Sequence, residues 1–399
     1  MNIHKFTDTI YRIQSVDYHQ KNIYNLYGGK AISYNSYIFL DKSICLINLP
    51  PPLFMNLFIK KVKELANGQF IQSLILNRID PIIMSALSIF LINFPQIQLL
   101  VNRKSFETIT TFKPSYKNLY YDIVDSNYSL NTGNNILLFK QTPLLRWPDS
   151  MAIYLQYDKI VFTGDLFSQY TADQIDNYEV LYEQQLYFVS NLFTHVPNQL
   201  KQYLTWFESM KFQQILPDYG SQTVGEENVH SSAQLYYKFT GSIQKQPKFI
   251  ALYETMYGTT EKAVDLVAKV LKSHGIEVVM LNMKYNLLDK LALNAQDCVG
   301  IILATPTLNG DAMPGVVEGV SFLKQLGIMK GKIGFVLGAY GWDGGMAQRR
   351  LQKDLEEMSV QVLGKIVWKY NFGDEIYAQL TEAGEVVSKK VLQIININE

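Results

Sequence analysis

Histidine and cysteine are scarce in this chain: five His and two Cys among 399 residues. His4, His19, His195, His230 and His274 are scattered and form no H-x-H or H-x-x-x-H pair, which argues against a His-rich metal enzyme. Cys45 and Cys298 lie too far apart in sequence for a local zinc knuckle and cannot build a disulfide framework. Neither charge is in surplus, because 36 basic residues balance 36 acidic ones. A nucleic-acid partner is therefore not expected, since binding phosphates requires a basic excess. Long apolar runs are absent too. The most apolar early stretch, residues 82–92, reads as a buried helix, well short of the ~20 residues that span a bilayer. The opening MNIHKFTDTIYRIQ has no apolar signal region. With so little Cys, the expected setting is a reducing cytoplasm with no membrane partner.

The residues that are present describe a globular protein, 48% hydrophobic and 18% charged. The length suits two or three domains. Character changes near residue 245, where 241–247 reads as a linker, giving expected domains 1–245 and 246–399. The first is rich in Tyr, Asn, Ile and Gln, with strand patterns at 31–40, 43–49, 71–76, 136–139, 151–155 and 159–162. Helical stretches at 52–66 and 178–193 are interleaved, so this half is an α/β or α+β sandwich. The second alternates regularly. Apolar strands at 248–253, 276–281, 298–304, 332–338 and 361–367 are separated by helices that include 260–274, 345–358 and 384–395. That rhythm builds a doubly wound sheet of five parallel strands.

Three loops follow successive strands of that sheet. Thr255-Met256-Tyr257-Gly258-Thr259-Thr260 places hydroxyls and a Gly at a helix N-terminus, where N–H groups and the dipole suit a monophosphate. It is neither a P-loop nor a G-x-G-x-x-G loop. Thr305-Pro306-Thr307-Leu308-Asn309-Gly310 and Gly338-Ala339-Tyr340-Gly341-Trp342-Asp343-Gly344-Gly345 supply Gly-rich backbone and aromatic rings. Such segments approach a flat ring closely and cover its face.

TMYGTT, TPTLNG and GAYGWDGG together resemble a flavodoxin, most closely the flavodoxin domain of flavodiiron proteins (A-type flavoproteins). The resemblance implies FMN, with its phosphate on residues 255–260 and its ring between the other two loops. It extends to the first half, where Trp147-Pro148-Asp149 matches a segment next to a metal-binding His. There it implies a metallo-β-lactamase-like αββα sandwich that in the family holds two irons on an H-x-E-x-D-H motif, a His before W-P-D, a bridging Asp and a last His.

On this sequence those ligand positions fall on Arg78, Asp80, Ile82, Ile83, Arg146, Asp165 and Tyr219. All four imidazoles are replaced, so the expectation is no di-iron centre. Arg78 and Arg146 are expected to face Asp80 and Asp165, pairing bidentately, with Tyr219 filling volume. Two alternatives stay open: Mg²⁺ or Mn²⁺ on Asp80, Asp165 and Asp218, or ligation by His195 or His230. The resemblance further implies a head-to-tail homodimer, or a mixed dimer with an intact flavodiiron protein, and a separate electron donor. The expected role is that of an FMN-dependent oxidoreductase or electron-transfer flavoprotein without family-type O₂ or NO reduction. O₂ or NO reduction through unexpected ligation is the remaining alternative, and no catalytic side chain is assigned.

Overall fold

Strand Ile32–Phe39 is almost wholly buried, which places it inside a sheet and not at an edge. The structure, a computed structural model, describes residues 1–19, 22–23, 27–28, 31–172, 174–240, 246–286 and 288–396. It divides into two compact units, Met1–Gly241 and Ser242–Glu399. Most of the expected linker, residues 241–245, lies outside the described residues.

In the first unit, β1 (Asn2–Lys5), β2 (Ile10–Asp17), β3 (Ile32–Phe39), β4 (Ile44–Ile47), β5 (Ile71–Ile75), β6 (Gln98–Val101) and β7 (Tyr121–Ile123) form one sheet in that spatial order. A second sheet holds β8 (Ser129–Asn131), β9 (Ile136–Gln141), β10 (Met151–Leu155), β11 (Ile160–Phe162), β12 (Gln214–Leu216) and β13 (Thr223–Val224). The sheets meet face to face. Tyr37, Phe39, Ile47 and Ile75 of the first share a core with Phe139, Ile153, Phe162 and Leu216 of the second. Helices α1 (Met55–Ala66), α2 (Pro81–Asn93) and α3 (Arg103–Phe112) cover the outer face of the first sheet. The second sheet is covered by α4 (Tyr178–Leu192), α5 (Pro197–Met210) and α6 (Glu226–Tyr237), with Tyr154 of β10 edge-on to Trp206 of α5. The result is an αββα sandwich.

The second unit is one parallel sheet of β14 (Gln246–Tyr253), β15 (Glu277–Asn282), β16 (Cys298–Ala304), β17 (Ile333–Tyr340) and β18 (Gln361–Lys369), ordered β15-β14-β16-β17-β18. Helices α7 (Thr259–Ser273), α8 (Leu288–Asp297), α9 (Pro314–Leu326), α10 (Met346–Glu357) and α11 (Asp374–Asn396) pack around it. Every residue of β16 is buried, as its unbroken apolar sequence requires. The strand order reverses at β14, so a crevice opens at the carboxyl ends of β14 and β16.

Two sequence expectations need correction. Gly338, Ala339 and Tyr340 are not loop residues: β17 continues through them because its pairing with β18 runs to Tyr340 opposite Lys369. The last helix starts at Asp374, ten residues before the expected 384. Gly384 lies inside it because a Cβ there would sit 2.6 Å from Val270 Cβ, so glycine permits the close approach of α11 to α7. Among the described residues, no helix is long and apolar enough to cross a membrane.

Candidate functional site

In the second unit, the segments leaving β14, β16, β17 and β18 surround a cavity of about 360 Å³. The first contributes Met256, Tyr257, Thr259 and Thr260. The second contributes Pro306, Thr307, Leu308 and Asn309; the end of β17 contributes Ala339 and Tyr340, and the segment after it Gly341 and Trp342. Tyr370, just past β18, completes the lining and was not singled out from the sequence. Of the expected residues, Thr255, Gly258, Thr305, Gly310, Gly338 and Gly344 support the walls without lining the cavity.

Local chemistry explains the shape of each wall. Gly258 caps α7 with φ +83, open space surrounds its would-be Cβ, and its N–H donates to Thr255 Oγ1 at 3.0 Å. Asn309 (φ 51) and Gly310 (φ 80) form a tight turn that closes Leu308 onto Asp311. Thr305 Oγ1 is already engaged, accepting from Met313 N at 2.9 Å. Thr260 Oγ1 and Thr307 Oγ1, by contrast, are buried and have no partner. The Thr260 hydroxyl, beside the free N–H groups of a helix start, is a ready donor for an anion, while the Thr307 hydroxyl is a ready donor for another polar group of a ligand. Among the described residues, no charged side chain lines the cavity. Tyr257 and Trp342 stand 92% and 90% exposed at its rim.

In the first unit, three carboxylates reach one guanidinium. Arg78 Nε lies 3.5 Å from both Asp80 Oδ2 and Asp165 Oδ1. Arg78 Nη1 pairs with Asp218 Oδ2, and Nη2 donates to Tyr219 Oη at 2.6 Å. Arg146, held in a left-handed conformation (φ 79), reaches Asp165 Oδ2 and Tyr170 Oη, each at 3.4 Å. The partners of Arg78 come from three strand ends. Asp80 caps α2 after β5, Asp165 follows β11, and Asp218 and Tyr219 follow β12.

This geometry revises the sequence expectation in three ways. Arg78 is not bidentate on one carboxylate, because carboxylates from three segments share it: Asp80 and Asp165 both face Nε, and Asp218 takes Nη1. Asp218 belongs to the network, held also by Asn48 Nδ2 at 2.7 Å and Asn77 Nδ2 at 3.0 Å. Tyr219 bonds Arg78 as well as filling volume. Ile82 faces solvent at 45% exposure, while Ile83 enters the core.

Burial opposes the Arg78 charge, but Asp165, Tyr219, Asp218 and Asp80 together hold it protonated above its usual range. Burial pushes the Asp218 carboxyl up to about 6; Arg78 opposes that rise, and the Asp165 charge adds to it. Asp149, from W-P-D, was missed as a positioning group. Its Oδ2 accepts from Ile79 N and Ser105 Oγ, each at 2.7 Å, and pins the segment that carries Arg78. Among the described residues, no group of three or more His, Cys, Asp or Glu is arranged to hold a metal ion. A larger cavity of about 680 Å³ lies between α5 and α6, with Phe207 and Phe212 as floor and Glu208, Glu226 and Glu227 among its lining. It contains none of the residues of the two sites above; His230, an alternative ligand from the sequence, lines it instead, away from Arg78 and the three carboxylates.

Comparison with known proteins now places both units. Residues 32–220 match the ODP family beta lactamase, and residues 252–386 match flavodoxin. The chain is 24% identical over 376 residues to a nitric oxide reductase of Moorella thermoacetica, covering 90% of this chain and 91% of that protein. Among solved structures, the flavodiiron protein from Giardia intestinalis matches with a TM-score of 0.91 at 24% identity, covering 100% of this chain and 98% of the other. The rubredoxin oxygen:oxidoreductase of Desulfovibrio gigas matches with a TM-score of 0.90 at 18% identity, covering 98% and 99%. The chain thus carries a domain of the ODP beta-lactamase type followed by a flavodoxin domain, and it shares its fold with flavodiiron proteins over nearly its full length.

Proposed function

We propose that this protein is an FMN-binding electron-transfer flavoprotein of flavodiiron type whose first unit works without paired irons. The observation that carries the flavin half is the pair of orphaned, buried hydroxyls, Thr260 Oγ1 and Thr307 Oγ1, in a cavity walled by strand ends. Thr255, Thr259 and Thr260 with the start of α7 would hold the phosphate. The segments around Thr307–Asn309 and Tyr340–Trp342, with Tyr370, would hold the ring. Bound FMN supplies one- and two-electron exchange. The chain's own part is to bind and orient the ring and to limit water at it. Because no carboxylate among the described residues lines the cavity, the protein adds no direct anionic repulsion to a reduced ring.

The first unit does not fit a di-iron centre. Its donors are three carboxylates and a phenol, with no imidazole, and the Arg78 guanidinium occupies the place of a cation among them. Repulsion from Arg78 and Arg146 also disfavours a divalent ion on the carboxylates. The nitric oxide and oxygen chemistry in the names of its relatives is accordingly not assigned to this chain. Electrons come from a separate donor in the cytoplasm.

A second reading, a partner subunit in a mixed dimer with an intact flavodiiron protein, draws on Tyr257 and Trp342. Large rings this exposed beside a redox site suit cover by another protein. The test is to reduce the FMN-loaded chain and follow O₂ and NO consumption. Slow loss at the rate of free reduced flavin supports the main reading, and rapid turnover overturns it. Rapid turnover restored only when an intact family member is added selects the mixed dimer.

A further inference from the structure

Gln348, on α10, is fully buried beneath the flavin cavity without lining it. Its Nε2 lies 2.6 Å from Thr305 O and 3.3 Å from Ala339 O. Both neighbours are carbonyls, so the amide nitrogen must be the atom that faces them. Thr305 opens the segment after β16, and Ala339 lies at the end of β17. These are the roots of the two walls proposed to hold the ring. Backbone bonds join the same roots, Thr305 N to Leu337 O at 3.2 Å and Thr307 N to Ala339 O at 3.0 Å. Gln348 adds a side-chain pin across them.

Gly338 shows how closely this pin is built. A Cβ there would lie 2.0 Å from Thr305 O and 2.2 Å from Gln348 Nε2. Its glycine is required by the space that the Thr305 carbonyl and the Gln348 amide take together, which explains a Gly that does not line the cavity. Both donations of the amide come from Nε2 and go to the two walls, and the acceptor Oε1 has no partner among the described residues, so the side chain's hydrogen bonding is spent on the walls alone.

We propose that Gln348 is the positioning residue of the ring slot: by binding both walls at once it sets their separation, and through it the affinity and potential of the bound flavin. The proposal rests on the FMN reading, and riboflavin, which lacks the phosphate, separates the two. The experiment titrates the full chain with FMN and with riboflavin and measures the midpoint potential of bound FMN. Gln348→Leu is expected to weaken both ligands by a similar factor, about tenfold, as for one lost buried hydrogen bond, and to shift the potential. Thr260→Val is expected to weaken FMN and leave riboflavin unchanged.

Gln348→Glu keeps the proposal testable if the Leu variant fails to fold. Its protonated carboxyl can still donate to Thr305 O, whereas the carboxylate faces two carbonyls and is repelled. Riboflavin is therefore expected to bind Gln348→Glu close to normally at acidic pH and weakly at alkaline pH, with no such change in the unaltered chain. Equal riboflavin affinity across that pH range in Gln348→Glu, or unaltered affinity and potential in a folded Gln348→Leu, overturns the proposal alone. Failure of the unaltered chain to bind either flavin overturns the FMN reading and the proposal with it.

Discussion

Arg78 donates from Nη2 to the hydroxyl of Tyr219 at 2.6 Å while the rest of its guanidinium faces Asp80, Asp165 and Asp218. One buried cation thus serves three carboxylates and a phenol that the segments after β5, β11 and β12 bring together. Such an arrangement gives buried carboxylates a cation that burial would otherwise deny them. Its value lies in holding that end of the sandwich in one shape.

Removal of the Arg78 guanidinium should therefore be costly. Arg78→Leu leaves buried carboxylates without their shared cation, and a loss of about 3–5 kcal/mol is expected in urea denaturation. Arg78→Lys restores part of this, because an ammonium on a flexible stem cannot meet all four partners at once.

Asp218 gives the network a pH dependence of defined sign. Its folded value, pushed up to about 6, lies above the ordinary 3.8. Between about 4 and about 6 the folded protein holds more protons at this site than the unfolded chain. Its contribution to stability is present below that window and is lost as pH rises through it. Measured against Asp218→Asn, the unaltered protein should lose urea stability from about pH 4 to about pH 6 and change little near neutrality.

Asp149 tests whether the segment carrying Arg78 is pinned as described. Asp149→Ala removes the acceptor for Ile79 N and Ser105 Oγ. A loss of about 1–3 kcal/mol is expected, the cost of leaving a buried donor unsatisfied. Asp149→Asn, which retains an acceptor oxygen, should recover more than half of it in the same denaturation assay.

Tyr370 is a prediction about the flavin face. Its ring lines the cavity at 66% exposure, beside Tyr340, whose carbonyl accepts from Tyr370 N at 3.0 Å. Tyr370→Ala should weaken FMN by about 1 kcal/mol, the worth of one aromatic contact, and increase the fluorescence of bound flavin. Tyr370→Phe should leave both unchanged.

The parallel sheet and its three loops were legible because each apolar run ends in Gly, Thr or Pro, and strand ends in such sheets collect ligands. The Arg–Asp pairing was legible once Arg78 and Arg146 were placed at ligand positions. What escaped depends on distance in sequence. Asp218 joins Arg78 from 140 residues away, and neither local pattern announces the other. Gln348 and Tyr370 sit in no motif, since one is defined by two carbonyls beneath it and the other by a fourth strand end. The strand–loop boundary at Gly338–Tyr340 was misplaced because Gly-Ala-Tyr-Gly reads as a turn, whereas pairing with β18 holds it extended. Strand β2 was missed although its pairing with β3 is complete from Ile10 to Asp17. The stretch reads as polar and alternating, and its inward polar residues, Arg12 and Gln14, leave no apolar face to mark it as a buried strand.

The most direct test of the central claim is the iron and flavin content of the full chain after expression with ample iron and FMN. The account predicts flavin in stoichiometric amount with iron at trace level, and no rise in melting temperature on adding Fe²⁺ or Mn²⁺. Two irons per chain, retained through purification and needed for stability, would contradict it.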